Sequence, residues 1–427
     1  MLRLPGGLEL RRELPTMTTG DETGGQVDRE KRTSAAAVST RATFLELFFD
    51  LVFVFALTRI TARSFQDLAL EPGGTTGFSP ITGGGKTLLL LLALYTVWQG
   101  TAWTTSRYDP YHTSIQAIVI IALVGSMVMG VAIPRAFRVT GLAFAVAYVV
   151  TQVSRPLILM ITLGHHQNRR LKVRMLITSS ATGVLWLVGA FVPTNPRIVL
   201  WAVALGIEYL AGRTGWPVPG LGRSAISRWD IAGEHLAERY RQFFLVALGE
   251  TIIVAGFSYS ARPFSANPTI AFAIALLTSI LLWRIYFQRA GQILGEAVLK
   301  ARYPATIGRS AADTHGVMLV GIAAIAIGYQ LTIEHPLHRT EAAWVVLIIL
   351  GPAVFLAGRA RFEYEVFGRV SPSRWIAMLV LLASVPLLLR YPPLIASAVS
   401  AVVLAAVALA DARRARGKPP EAAKPPF

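Results

Sequence analysis

Apolar segments long enough to cross a lipid bilayer recur along this chain from Phe44 almost to the C-terminus. A transmembrane helix needs roughly 20 apolar residues to span the hydrocarbon core. The composition agrees, because 53% of the residues are hydrophobic and only 15% are charged, whereas soluble domains carry about 25% charged residues. The sequence therefore predicts an all-α fold, a polytopic transmembrane helix bundle.

Twelve apolar segments are predicted to be spans, although the short sixth segment and the Tyr391–Pro393 break between the last two leave ten or eleven spans as alternatives. The loops between them have at most about 25 residues, too few for a soluble catalytic domain. The approximate bounds of the segments are 44–60, 86–104, 113–133, 139–163, 172–192, 196–210, 239–257, 268–288, 314–333, 341–358, 374–390 and 393–411.

The positions of the basic residues predict the orientation of the chain. Of the 41 Lys and Arg residues, 30 lie on one side of a twelve-span topology, 9 lie on the other, and two fall within spans. Cytoplasmic loops of bacterial membrane proteins carry such an excess of Lys and Arg. Both termini are therefore predicted to be cytoplasmic, and the net charge of +17 needs no nucleic-acid partner.

Four regions are predicted along the chain. Residues 1–40 form a disordered cytoplasmic tail, because they are polar and lack apolar periodicity. Residues 41–235 and 236–412 form a first and a second transmembrane half, and residues 413–427 form a disordered basic cytoplasmic tail. The first and seventh segments both run into Phe-x-x-Ala-Leu, which suggests two parallel six-helix halves, as in several transporter folds. Chance similarity is the alternative, since Phe and Leu are common in all membrane helices.

The ionisable residues that fall inside the predicted spans include Glu46, Asp50, Arg155, Glu250 and Arg284. A charge at the bilayer centre costs about 2.5–3.5 kcal/mol on insertion scales, so these side chains must face each other, the bundle interior or a water-filled cavity. We expect Asp50 or Glu250 to pair with Arg155 or Arg284. Two interpretations stay open: a path for protons, ions or a polar substrate, or buried ion pairs that fix the order of the helices.

Three other polar positions are interpreted as structural. Glu46 shares a helix face with Asp50, because the two are four residues apart, but it is expected at the level of the lipid headgroups. Arg239 is expected to be an anchor that extends toward the membrane surface. His315, at the start of the ninth segment, can titrate near neutral pH, but a hydrogen-bonded structural histidine is the favoured interpretation.

Glycine-rich features of the sequence indicate packing rather than catalysis. Gly321 and Gly328 are seven residues apart on one helix face, which predicts close helix packing. The run from Gly83 to Thr87 resembles the end of a phosphate-binding loop, but Pro80 stands where the first glycine is required. The chain has no cysteine, and every lysine lies in a loop, a tail or a span end. No cofactor or metal is expected, and the expected partners are the lipid bilayer and a small solute or ion, with the oligomeric state open.

The segment from Glu46 to Ala56 resembles the first helix of the bacterial low temperature requirement A proteins. Three further stretches are similar to that family: Trp98–Asp109, Glu238–Ile253 and His315–His335. Thr105-Ser106 is a minor departure, because many relatives have Asn or similar polar residues before the position of Arg107. The resemblance implies a multi-pass bacterial inner-membrane protein named for a cold-growth phenotype, and it supplies no substrate, reaction or catalytic residue.

The leading hypothesis is a transporter or channel for a small solute or ion, with Asp50 and Glu250 as polar elements of the translocation path. An intramembrane enzyme that modifies lipids is the first alternative, with Glu46, Asp50 and His315 as its only candidate residues. A membrane scaffold or sensor is the second alternative, in which basic cytoplasmic loops contact anionic lipid. The absence of a soluble domain makes an enzyme the less favoured class.

Overall fold

The computed structural model describes residues 41–69, 79–162, 169–224, 231–288, 290–339, 341–419 and 421–426. The predicted tail at 1–40 lies outside these residues. Thirteen α-helices run through the described parts of the chain. They are α1 (Phe44–Ala69), α2 (Ser79–Thr105), α3 (Thr113–Ala132), α4 (Gly141–Thr162), α5 (Arg169–Phe191), α6 (Thr194–Thr214), α7 (Gly233–Ser260), α8 (Ala266–Phe287), α9 (Ala290–Lys300), α10 (Pro304–Glu334), α11 (Ala342–Phe367), α12 (Pro372–Leu388) and α13 (Pro393–Ala415).

Every predicted apolar segment corresponds to one long helix, and the short amphipathic α9 is an additional element. Eight stretches are long and apolar enough to cross a membrane, which confirms a helical membrane bundle. They contain α3, α4, α5, α7, α8 with α9, α10, α11 and α13. Spans by α1, α2, α6 and α12, and hence the total of twelve, stay predictions.

Hydrogen bonds between loops show which helix ends lie together. At one end of the bundle the backbone N–H of Ala232 donates to the carbonyl oxygen of Ser106 at 2.8 Å. At the opposite end the N–H of Leu394 donates to the oxygen of Pro336 at 3.2 Å. The loops at 106–112 and 215–224 belong to the first end. We call it the basic end, because it is the side on which the sequence places the excess of Lys and Arg. α2 therefore ends close to the start of α7, and α10 ends close to the start of α13.

Several helices extend well beyond their apolar cores. α7 begins at Gly233 rather than near residue 239, and α10 begins at Pro304 rather than near residue 314. Hydropathy detects only the part of a helix that lies in hydrocarbon, whereas backbone hydrogen bonding continues the helix into the polar region. The added turns place basic and acidic side chains inside the bundle near the basic end.

α10 lies at the centre of the fold and is buried over most of its length. Its closest neighbour is α11, and glycines line the contact between them. A Cβ atom added at Gly321 would lie 2.5 Å from the backbone nitrogen of Phe355 and 2.9 Å from the oxygen of Gly351. Gly358 meets the backbone of Met318 in the same way. The close helix packing predicted from Gly321 is thus confirmed, because only hydrogen fits there.

We expect Gly321→Ala to destabilise the folded protein by about 1–3 kcal/mol, the usual cost of overpacking a close contact. The clashing atoms belong to the backbone of α11, so no side-chain rotation relieves them. Thermal unfolding in detergent micelles measures the effect. Gly249→Ala is the matched control, since no atom lies within 4 Å of a Cβ placed there. Equal unfolding temperatures for the two variants would contradict the packing.

The C-terminal segment differs from the disordered tail predicted at 413–427. α13 continues to Ala415, and the backbone N–H of Lys424 donates to the oxygen of Val366 in α11 at 2.9 Å. Glu421 forms an ion pair with Arg369. The segment is polar, but these contacts give it partners at the basic end that its composition does not reveal.

Candidate functional site

Asp50 of α1 lies at the centre of a buried ion pair. Arg239 of α7 donates Nη1 to Asp50 Oδ2 at 2.9 Å and Nη2 to Asp50 Oδ1 at 2.8 Å. The indole Nε1 of Trp98 also donates to Oδ1 at 2.8 Å. Asp50 and Arg239 are both at most 1% exposed. Both carboxylate oxygens are therefore engaged by donors from α2 and α7.

Glu46 lies one turn before Asp50 and extends the same cluster. Its Oε1 is 3.4 Å from Arg239 Nε, and its Oε2 is 3.4 Å from His235 Nε2. The N–H and the hydroxyl of Thr43 donate to Oε2 at 2.8 and 3.0 Å. The interpretation of Arg239 as a surface anchor was wrong, because its side chain is completely buried. Glu46 is buried by protein as well, and its position at the level of the headgroups stays a prediction. The additional turns of α7 carry Arg239 into the bundle.

Glu250 forms a second link between α1 and α7. The hydroxyls of Thr58 and Thr61 each donate to one of its carboxylate oxygens at 2.5 Å. Among the residues that the structure describes, no basic side chain forms an ion pair with Glu250. Along α1, Asp50 precedes Thr58 and Thr61. Their partners on α7, Arg239 and then Glu250, follow in the same order, so α1 and α7 run parallel. This arrangement agrees with a parallel duplication, which stays a prediction.

The two arginines predicted as partners lie elsewhere. The Arg155 side chain of α4 is 6% exposed and packs against α2, where a Cβ at Gly100 would lie 1.9 Å from Nη1. Its Nη2 donates to the oxygen of Val97 at 3.4 Å. Arg284 is exposed in the last turn of α8. The expected pairs of Asp50 or Glu250 with these arginines are replaced by Arg239 and by threonine hydroxyls.

A cavity of about 140 Å³ opens among α2, α4, α5, α6 and α10 near the basic end. Four basic side chains line it, and Glu208 is the acidic residue among its lining residues. The basic residues are Arg107, Arg155, Lys172 and Arg309. Lys172 and Arg155 are buried. We call this space the cationic cavity, because the formal charges of its lining give a clear positive excess.

Glu208 is held by neutral donors rather than by the neighbouring cations. Tyr148 donates its hydroxyl to Oε2, Thr182 donates to Oε1 at 2.6 Å, and the Gln152 amide lies 3.5 Å from Oε2. The carboxylate therefore has its own hydrogen-bond shell, and it forms no ion pair with Arg155 within the described structure. Glu208 was not among the predicted site residues, although its position inside the short sixth apolar segment was an indication.

Tyr108 forms part of the cavity wall from the loop after α2. Burial raises the pKa of its phenol, against the opposing effect of Arg107. Lys172 Nζ lies 5.7 Å from the centre of the ring, and the Arg107 guanidinium carbon lies 5.8 Å from it. The neutral ring thus contacts two cations without adding negative charge, a geometry suited to cation–π attraction.

A second space, of about 550 Å³, lies between α2, α6 and α10. It shares Thr96, Gln99 and Tyr209 with the cationic cavity, so the two spaces adjoin. Leucine, glycine, alanine and valine residues form most of its remaining wall. We call this space the apolar crevice.

His315 lies apart from Glu46 and Asp50 in the hydrogen-bond network. Its Nε2 is 2.8 Å from the Tyr286 hydroxyl, and its Nδ1 is 2.6 Å from the oxygen of Ala311. Both ring nitrogens therefore have partners within the packed helices. The three residues considered for an intramembrane enzyme do not converge on one site.

Ser106, His235 and Glu46 form a different hydrogen-bonded line. The Ser106 hydroxyl is 2.9 Å from His235 Nδ1, and Glu46 approaches Nε2 of the same ring. The order resembles a serine hydrolase triad, but all three side chains are completely buried, and neither the cationic cavity nor the apolar crevice includes Ser106. A nucleophile needs access to its substrate, so this line connects helices. Within the described residues, no group of three His, Asp or Glu side chains is placed to hold a metal ion.

Comparison with known proteins identifies a family and a relative of this chain. The family model described as bacterial low temperature requirement A protein (LtrA) matches residues 41–409. An uncharacterized protein of Rhizobium meliloti (strain 1021) is 32% identical over 376 residues, which cover 87% of this chain and 88% of the relative. The matched residues include those of the ion-pair cluster, the cationic cavity and the apolar crevice, and the match ends within α13.

Proposed function

The chain belongs to the bacterial low temperature requirement A family, and we propose that it is a transporter or channel whose substrate is a small anion that binds in the cationic cavity. The excess of basic side chains in this cavity carries the proposal. Charge within a helical membrane bundle is costly and is retained mainly where it serves a substrate or ion path. Arg155 is the central residue, because it lies in the interior of α4 rather than at a helix end.

Arg155 has donor capacity to spare for a ligand. A guanidinium has five N–H donors in a planar fork that matches the oxygens of carboxylate and phosphate. Within the described structure its hydrogen bond is the long one from Nη2 to Val97, and its buried Nε has no hydrogen-bond partner. Gly100 allows the fork to lie flat against α2 at the wall of the cavity. An anion entering the cavity would satisfy these donors.

The ion-pair cluster has a supporting role in this proposal. Asp50 has no free carboxylate oxygen, since Arg239 and Trp98 engage both. Neither Asp50 nor Glu250 lines the cationic cavity or the apolar crevice. Glu250 is the better candidate of the two for carrying a proton, because its partners are neutral hydroxyls rather than a fixed cation. Asp50 instead holds α1, α2 and α7 in register.

We also propose that the basic end faces the cytoplasm of a bacterial inner membrane, with both termini on that side. The excess of Lys and Arg on this side supports the orientation. The cationic cavity then lies on the cytoplasmic side of the bundle. A substrate anion would be taken up from, or released to, the cytoplasm through the loops at 106–112 and 215–224.

We expect Arg155→Gln to reduce anion movement at least tenfold while the protein remains folded. The variant removes the positive charge but keeps a hydrogen-bonding side chain of similar length. Purified protein in liposomes receives concentration steps of sodium phosphate, sodium acetate or sodium chloride, and charge movement is recorded on a solid-supported membrane.

The control for this experiment is Arg390→Gln, which alters an exposed arginine at the opposite end. It should leave the signal unchanged, and Arg155→Lys should restore part of it. Wild-type protein that moves none of the three anions, or that responds only to the cation when potassium replaces sodium, overturns the proposal. So does an Arg155→Gln variant with the wild-type signal.

A further inference from the structure

We infer that the ligand of the cationic cavity is an amphiphilic organic anion, with a phosphate or carboxylate head on an alkyl chain that lies in the apolar crevice. This inference rests on the proposed function and names the class of substrate. The two adjoining spaces are complementary to the two parts of such a molecule. The head would contact Arg155 and the other cations, and the chain would lie between α2, α6 and α10.

The wall of the apolar crevice changes in polarity along the bundle axis. On α2, the lining residues from Gly85 to Leu92 are apolar, whereas Tyr95, Thr96 and Gln99 follow toward the basic end. An alkyl chain and a polar head require this order, because apolar surface is stabilised by contact with hydrocarbon and a head requires hydrogen-bond partners.

The other two helices repeat this order. On α6 the lining runs from Ala202 to Tyr209, and on α10 it runs from Val320 back to Asp313. α6 ends and α10 begins at the basic end, so both helices turn polar on the side of the cationic cavity. Three helices with independent sequences therefore share one gradient, and its polar end adjoins the cavity.

The length of the crevice suits a chain of medium length. From Leu88 to Gln99, α2 advances about 16 Å at ~1.5 Å per residue. Leu88 and Val317, which line the crevice, are each about two-fifths exposed. The crevice is thus open toward the surrounding lipid, which gives an amphiphile an entry route that a small inorganic anion would not need.

The acidic groups near the proposed head site are already paired. Asp313 lines the crevice but forms an ion pair with Arg213 and accepts from the Tyr209 hydroxyl at 2.9 Å. Glu208 has its shell of neutral donors. Arg309 donates Nη1 to the oxygen of Gly212 at 3.0 Å and leaves its buried Nε without a hydrogen-bond partner. Positive charge therefore remains available to an anionic head.

Binding is tested with the full chain in nanodiscs of zwitterionic phosphatidylcholine. The probe is radiolabelled dodecyl phosphate, and empty nanodiscs give the background from partitioning. We expect saturable binding of one molecule per chain. Unlabelled dodecyl phosphate should displace the probe, whereas inorganic phosphate and dodecanol, which supply the head or the chain alone, should each compete at least tenfold less well.

Two variants test the two parts of the site. Arg155→Gln removes a head contact, and Gly206→Phe fills the crevice from α6, where no atom lies within 4 Å of an added Cβ. Each should weaken binding of dodecyl phosphate at least tenfold. The matched controls are Arg390→Gln and Gly256→Phe, since Gly256 of α7 also has open space around a Cβ and lies outside the crevice. Size-exclusion profiles and thermal unfolding confirm that each variant is folded.

Three results overturn the inference. If inorganic phosphate competes as well as dodecyl phosphate, the site binds free anions. If Gly206→Phe binds dodecyl phosphate normally, the alkyl chain does not lie in the crevice. If wild-type protein shows no saturable binding, amphiphilic anions are not the ligand class. The proposed function fails separately. If inorganic anions move through the wild-type protein and Arg155→Gln stops them, transport stands even though the amphiphile does not bind.

Discussion

Arg239→Met should destabilise the folded protein by about 3–5 kcal/mol, because removing one partner of a buried ion pair leaves the other charge without compensation and out of reach of water. Here two carboxylates, Asp50 and Glu46, lose their shared cation. The free energy of unfolding is measured in mixed micelles with increasing fractions of sodium dodecyl sulfate, alongside the yield of monodisperse protein.

A second substitution distinguishes charge from packing. In the Arg239→Met background, Asp50→Asn removes one of the stranded carboxylates and should recover at least about 1 kcal/mol, a coupling typical of contacting residues. Arg390→Met, at an exposed arginine, should change stability by less than about 0.5 kcal/mol. If Arg239→Met is as stable as Arg390→Met, the cluster does not hold the helices. Asp50 would then again be a candidate for the translocation path.

Arg197→Ala is expected to cost at least about 3 kcal/mol, even if only two of its hydrogen bonds count at about 1.5 kcal/mol each. The side chain of this residue near the start of α6 donates to five carbonyl oxygens at 2.9–3.1 Å. Three of the carbonyls end α5 and two belong to the loop before α4. Helix ends leave such carbonyls without intrahelical partners, so one guanidinium joins two polar segments.

Arg197→Lys should recover little of this loss, because an ammonium group has only three donors on a compact head and cannot reproduce the planar fork. Arg138→Ala is the control, since its exposed side chain lies in the same loop and only its backbone oxygen accepts from Arg197. Thermal unfolding in micelles compares the three variants. A lysine variant as stable as the wild type would contradict a role that depends on the guanidinium.

The charged residues of the first apolar segment show how far sequence reasoning extends. Asp50 was expected to have an ion-pair partner, because a carboxylate buried in a helix bundle is costly without one. Arg239 is that partner. The partner was predicted among Arg155 and Arg284, which lie in apolar segments, whereas Arg239 lies at the boundary of such a segment. Hydropathy averages over about 20 residues, so it does not reveal that α7 begins before its apolar segment and that Arg239 is buried in the bundle.

The cationic cavity was harder to predict for a related reason. Arg107, Lys172 and Arg309 each lie near a helix end, where a basic residue in a membrane protein usually reflects topology. Nothing local indicates that four basic residues, from four different stretches of chain, converge on one cavity. Only Arg155, in the interior of a span, and Glu208, inside the short sixth segment, carried a local indication.

The sequence alone determined the class of fold, because a segment that crosses the hydrocarbon core of a bilayer must be apolar and helical. The distribution of Lys and Arg predicts the orientation of these helices. The sequence also determined the close contact at Gly321, since a glycine on a buried helix face lets a second backbone approach where a side chain would block it. The tertiary structure decided which charges meet, which carboxylates have cations and which have hydroxyls, and where the two adjoining cavities lie. Those outcomes depend on distances between helices far apart in the chain, and periodicity within one helix holds no information about them.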